Sequence, residues 1–231
     1  MNEVLEIRKK LDELKNEEKA IKIKRYLKSP YEFYGINIPE LRKISKNYRN
    51  LEFDNFLSLF NELFESKNHE EMSLALFLME YYFNKNPEKS WIFLMNKLNK
   101  IKTWDHADEV ATAILGKILL KNLTFMKQIK EMSKNKNPWI RRIAIVSNLP
   151  LIKKNKIELT LIMSEYLVYD EDVYVQKGVG WMLREAGKKD RIGIRNFILN
   201  HLDMKSYAFS YSTEKMLELR EIRKEKIKKK N

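Results

Sequence analysis

The sequence predicts an all-α protein, and three observations carry that prediction. Only six glycines and five prolines punctuate its 231 residues. Over long stretches apolar residues recur three and four positions apart, the spacing of one helix face. No run sustains the period-two alternation of a half-buried strand, so no sheet is expected.

Taken in order, the periodicity predicts helices over 2–17, 19–27, 38–48, 53–66, 70–84, 88–101, 104–120, 123–134, 138–149, 156–168, 172–186, 190–202 and 207–228. The stretch LKSPYEFYGINIPE (27–40) is the longest irregular one and reads as a loop between the first helices and the remainder. Asn137-Pro138 supplies an N-cap and a proline at the first helical position. Gly187 stands where a C-cap glycine is expected. Helices of this length with short connections suit an α-solenoid or an irregular bundle. Trp104, Trp139 and Trp181 are spaced near the roughly 40-residue period of HEAT and armadillo repeats, although they lie at different depths in their helices. Residues 1–231 read as one helical domain, with N-terminal helices in 1–30 and a basic tail in 220–231, whose frayed, solvated end could also reach phosphate.

The chain carries a formal charge of +13, which favours an anionic partner, nucleic acid first. It contains no cysteine, which excludes disulfides, thiol nucleophiles, zinc knuckles and iron–sulfur ligation. The first twenty residues alternate charge too densely for a signal peptide, and Lys117 breaks the most apolar run, VATAILGKILL. A cytoplasmic protein is expected, with no membrane partner. His69, His106 and His201 are read as forming no cluster, and HEEMS lacks a metalloprotease helix's second histidine, so no metal is expected. Phosphate-binding glycine loops and serine elbows are absent, so no nucleotide cofactor is expected.

Three stretches combine tryptophan with charge. In TWDHADEVATAILGKILL, Ala107, Val110, Ala111, Ile114 and Ile118 form the apolar stripe, and Trp104 and Asp108 share its flank one turn apart. Asp105 lies in the first turn, where the helix dipole favours an acid. Asp108 lies beyond capping reach and is either a structural ion-pair partner or a site residue. In NPWIRRIAIVSNL, Arg142 shares a face with Trp139, Ile145, Val146 and Leu149, so it is either paired, Asp108 being one candidate, or holds a ligand phosphate. Arg141 points elsewhere. In DVYVQKGVGWMLREAG, Val175, Val179, Met182 and Ala186 form the stripe, with Leu183 at its margin. Trp181 lies about 120° away, beside Tyr174, Gly178 and Glu185 and near Lys177 and Arg184.

Together with FYGINIPELRKI (33–44), these stretches, WDHADEVA, NPWIRRIAIVSNL and VYVQKGVGWMLREAGKKD, resemble in order and spacing the AlkD-type DNA alkylation repair glycosylases, through about residue 200. The resemblance implies a HEAT-like helical-repeat solenoid with a concave basic face. It also implies excision of cationic N3- and N7-alkylated purines from duplex DNA, by hydrolysis of the glycosidic bond without flipping the base into a pocket. Asp108 would be the catalytic carboxylate, Trp104 and Trp181 the aromatic walls and Arg142 the phosphate-side residue. Tyr26, Trp139, Arg141 and Lys177 complete the expected DNA contacts. The expectation is a monofunctional hydrolase acting as a monomer without a cofactor, found at the nucleoid when bound to DNA. Its alternative is a non-catalytic helical-repeat module that binds damaged or branched nucleic acid, because one scaffold can host both.

Overall fold

The structure, a computed structural model, describes residues 2–228 and contains, among them, helices and no strand. Tail residues 229–231 lie outside the described residues. Contacts divide the chain into two compact units, Met1–Val110 and Ala111–Asn231.

The first unit contains α1 (Asn2–Glu13), α2 (Glu17–Leu27), α3 (Ile38–Lys46), α4 (Phe53–Phe64), α5 (His69–Tyr82), α6 (Pro87–Met95) and α7 (Trp104–Glu109). Helix α5 packs against α3 and α4 and is buried continuously from His69 to Met79. An all-round buried helix shows no amphipathic stripe, and its polar residues need partners. Glu70 finds them in the irregular segment before α3. Its carboxylate accepts the backbone N–H of Tyr34 at 3.2 Å, of Gly35 at 2.8 Å and of Ile36 at 3.2 Å. Gly35 adopts φ +84°, and a Cβ there would lie 2.1 Å from the Asn16 carbonyl oxygen, so this turn requires glycine. The core is aromatic: Phe56 stacks on Tyr82 at 3.9 Å, and the Tyr82 hydroxyl donates to the Leu51 carbonyl at 2.8 Å.

The second unit continues with a π-helical stretch, Val110–Leu115, whose first residue closes the first unit. It then runs through α8 (Gly116–Lys121), α9 (Met126–Met132), α10 (Pro138–Val146), α11 (Leu149–Lys153), α12 (Glu158–Leu167), α13 (Val173–Gly187), α14 (Arg191–Asn200), α15 (Ser206–Ser212) and α16 (Glu218–Lys228). Helix α13 is central, packed on α10, α12, α14 and α15. Its glycines admit two neighbours. A Cβ at Gly178 would touch Val146 and Arg142 of α10 at 3.4 Å. A Cβ at Gly180 would fall 2.6 Å from Tyr211 Cβ and 2.7 Å from the Ala208 carbonyl oxygen of α15. Gly180→Ala is therefore expected to cost about 1–3 kcal/mol, read by chemical denaturation, because neither contact is a flexible side-chain end.

Most of the predicted helices are present, and the differences have local causes. The predicted 138–149 helix stops at Val146, and Pro150 restarts it as α11. The predicted 207–228 helix breaks into α15 and α16 between Thr213 and Leu217. Asn137 caps α10 as expected, accepting from Trp139 N at 3.0 Å. Gly187 is instead the last helical residue of α13, and Lys188 caps it with φ −75°. Both predicted stripes are fully buried: Ala107, Val110, Ala111, Ile114 and Ile118, and Val175, Val179, Met182 and Ala186, are all 0% exposed. Among the described residues no helix is long and apolar enough to cross a membrane.

Candidate active site

Trp104 opens α7 behind the N-cap Thr103, and Asp108 follows one turn later. Both are half-buried, so both keep surface open to solvent. Tyr26, at the end of α2 and 73% exposed, sets its ring edge-on to Trp104, with centroids 5.9 Å apart at 84°. The two rings wall a cleft of about 340 Å³, whose apolar lining includes Ile23, Leu27, Ile38 and Leu41.

Beside Trp104, Asp105 joins a histidine cluster, contrary to the expectation that His69 and His106 form none. His69 and His106 stack at 4.0 Å and 13°, and His69 Nε2 approaches Asp105 Oδ2 at 2.9 Å. Asp105 therefore does more than answer the helix dipole. Burial is the largest single influence and pushes its carboxyl upward, but the contacts with His69, His106 and Thr103 together outweigh it and hold the group well below the usual carboxylate range. Burial likewise pushes the His106 imidazole down to about 3 and keeps it neutral. Donor atoms of His69, Asp105 and His106 come within 4.8 Å of one another. Imidazole lone pairs lie in the ring plane, so two near-parallel rings do not aim at one ion about 2.0–2.1 Å from each. The cluster is better read as the buried support of the first turn of α7.

One residue past Asp108, Glu109 shares the Arg42 guanidinium with Glu80, at 2.8 and 2.7 Å respectively. Arg42 also lies over the Phe77 ring at 4.0 Å. Burial, followed by the hydrogen bond and charge of Glu80, pushes the Glu109 carboxyl from 4.5 up to about 8, against the opposing pull of Arg42. A folded-state value raised in this way favours folding at low pH. Its contribution is complete below about 4.5 and is lost as pH rises through about 8. Unfolding free energy is thus expected to decline between those limits, and Glu109→Gln to flatten the decline. An unchanged slope in the variant would contradict this assignment.

The other predicted residues lie in the second unit. Arg141 grips Asp170 through two bonds of 2.6 and 2.9 Å and donates to the Asn135 and Lys136 carbonyls at 2.8 and 3.0 Å. Arg142, 6% exposed, donates to the Tyr174 carbonyl, so the arginine on the apolar face does have an internal acceptor. Trp139 and Tyr174 lie 5.0 Å apart. Lys177 Nζ stands 5.8 Å from the Tyr174 ring and 5.0 Å from the Tyr207 ring. Trp181 is half-buried one turn after Lys177. Arg42, His69, Glu70 and Tyr207 are not legible in the sequence because their partners lie on other helices or, for Glu70, in the irregular segment before α3. His69 and His106 did offer one signal: both sit in a helix's first turn, about one 40-residue repeat apart.

A family described as DNA alkylation repair enzyme matches residues 7–216. A predicted DNA alkylation repair enzyme from Enterococcus faecalis superposes with TM-score 0.79 at 21% identity, covering 87% of this chain and 96% of its own. AlkD2 from Streptococcus mutans superposes with TM-score 0.60 at 21% identity, covering 78% and 88%. A further Streptococcus mutans UA159 protein, smu.31, gives 0.62 at 22% identity, covering 76% and 91%. These structures establish the fold as the all-α, AlkD-like helical-repeat type. No curated protein matches the sequence.

Proposed function

The chain belongs to the DNA alkylation repair enzyme family, and from that premise we propose that it is a monofunctional DNA glycosylase for cationic N3- and N7-alkylpurines. The observation that carries this reading is the pairing of Trp104 with Asp108 one turn apart on α7, both partly open to solvent. An alkylated purine with a formal positive charge leaves as a neutral base, so no general acid is needed. What must be stabilised is the oxocarbenium-like sugar left behind. A carboxylate does this by Coulomb attraction and orients the attacking water, while an indole face favours the polarised sugar C–H groups. The base stays outside any closed pocket in this scheme, unlike in base-flipping enzymes. Trp181, Arg142 and a basic concave face take their roles from the sequence resemblance alone. Duplex DNA is the partner, and the net charge of +13 makes binding salt-dependent.

This chemistry discriminates by lesion charge. Duplexes carrying N7-methylguanine or N3-methyladenine are expected to release free base, and a duplex carrying neutral O6-methylguanine to release none. Equal release from the neutral lesion would overturn the mechanism. DNA binding with no release from any lesion would favour the non-catalytic module.

A further inference from the structure

Three helices of the second unit each carry an aromatic ring as their second residue: Trp139 on α10, Tyr174 on α13 and Tyr207 on α15. The rings are linked side to side. Trp139 meets Tyr174 at 5.0 Å and a tilt of 35°, and the Lys177 ammonium bridges Tyr174 and Tyr207 at 5.8 and 5.0 Å. Tyr207 is 45% exposed, and Trp139, Tyr174 and Lys177 are half-buried, so the row keeps an open side.

Lys177 differs from other cations on α10, on α13 and at its C-cap. Arg141 is held by Asp170, Arg184 by Glu214 and Lys188 by Glu185, whereas Lys177 forms no ion pair among the described residues. Two ring faces hold it instead. A cation–π contact positions an ammonium without neutralising it, so its charge remains available to an anion. Neither a core contact nor a solvated lysine needs a cation fixed between two rings with a third ring behind.

We propose that Trp139, Tyr174, Lys177 and Tyr207 form one clamp for a DNA strand: the rings take sugar or base faces and Lys177 takes a phosphate. A nucleic acid strand alternates an anion with a flat or C–H-rich face, as this row alternates cation and ring. An acidic peptide offers the anion but nothing planar for the rings. The proposal rests on the DNA-binding part of the proposed function, deepens it by adding Tyr174 and Tyr207, and is independent of the bond-breaking step.

The test is equilibrium binding of the full chain to an undamaged duplex by fluorescence anisotropy over a series of salt concentrations. Lys177→Gln should weaken binding and reduce the slope of log K against log salt by about one, as loss of one phosphate contact does. Tyr207→Leu should weaken binding about tenfold and leave the slope unchanged. Thermal melting of both variants should match wild type, which separates a contact from a folding defect. A wild-type slope and affinity in Lys177→Gln would overturn the clamp, as would poly-glutamate binding lost in both variants while DNA binding persists. The two readings fail separately. Base release by wild type with unaffected variants would overturn only the clamp. Variant effects on binding without any base release would overturn only the glycosylase.

Discussion

Asp108→Asn is expected to lose base release by about a thousandfold while binding undamaged duplex DNA nearly as wild type does. The substitution preserves shape and removes one charge. A carboxylate about 4 Å from a developing sugar cation contributes roughly 4 kcal/mol at the effective dielectric of a partly exposed site. At about 1.4 kcal/mol per tenfold, that is close to three decades of rate. Asp108 is half-buried and also interacts within the protein, so a melting curve belongs beside the rate. Release within tenfold of wild type would remove Asp108 from the chemistry. Trp104→Leu should have a smaller effect, because an aromatic face contributes polarisation and shape without a full charge.

Glu70→Ala is expected to cost about 3–5 kcal/mol of unfolding free energy, the largest stability effect predicted for this chain. Glu70 is 2% exposed, and its two oxygens accept three backbone N–H groups from Tyr34, Gly35 and Ile36. Alanine would leave those donors buried without partners in a segment that has no helix or sheet to absorb them. Urea denaturation reads the loss directly. Glu70→Gln should retain part of the stability through its one remaining carbonyl oxygen. Because Ile36 lines the cleft beside Trp104 and Tyr26, the variants should also slow base release. A stability change below about 1 kcal/mol in Glu70→Ala would show that these three hydrogen bonds are dispensable.

These two residues show how much of the molecule is legible in the sequence. Trp104 and Asp108 are readable because both belong to one helix, where three- and four-residue spacing fixes which side chains share a face. The stripe that runs from α7 through the π-helical stretch into α8, and that of α13, are readable for the same reason. Glu70 is not: α5 is buried all round, so it has no polar face to expose, and the acid's partners are backbone groups some thirty residues away. The Arg42–Glu80–Glu109 bridge joins three helices. The His69–His106 stack joins two, and neither leaves a local pattern. The start of α10 was legible in Asn137-Pro138, whereas the break at Ser147 before Pro150 was overrun by the expected helix, and the one between Thr213 and Leu217, where no glycine or proline stands, left no signal. The same non-local packing hid Tyr207, whose tie to Lys177 depends on how closely α15 packs at Gly180.

The most direct test of the proposed Asp108-dependent glycosylase is single-turnover release of free N7-methylguanine from duplex DNA by wild type and Asp108→Asn in parallel, with the binding of each to undamaged duplex measured in the same buffer. Base release is expected from wild type alone, with comparable binding by both. Equal release by the two proteins, or none by a wild type that binds DNA tightly, would contradict it.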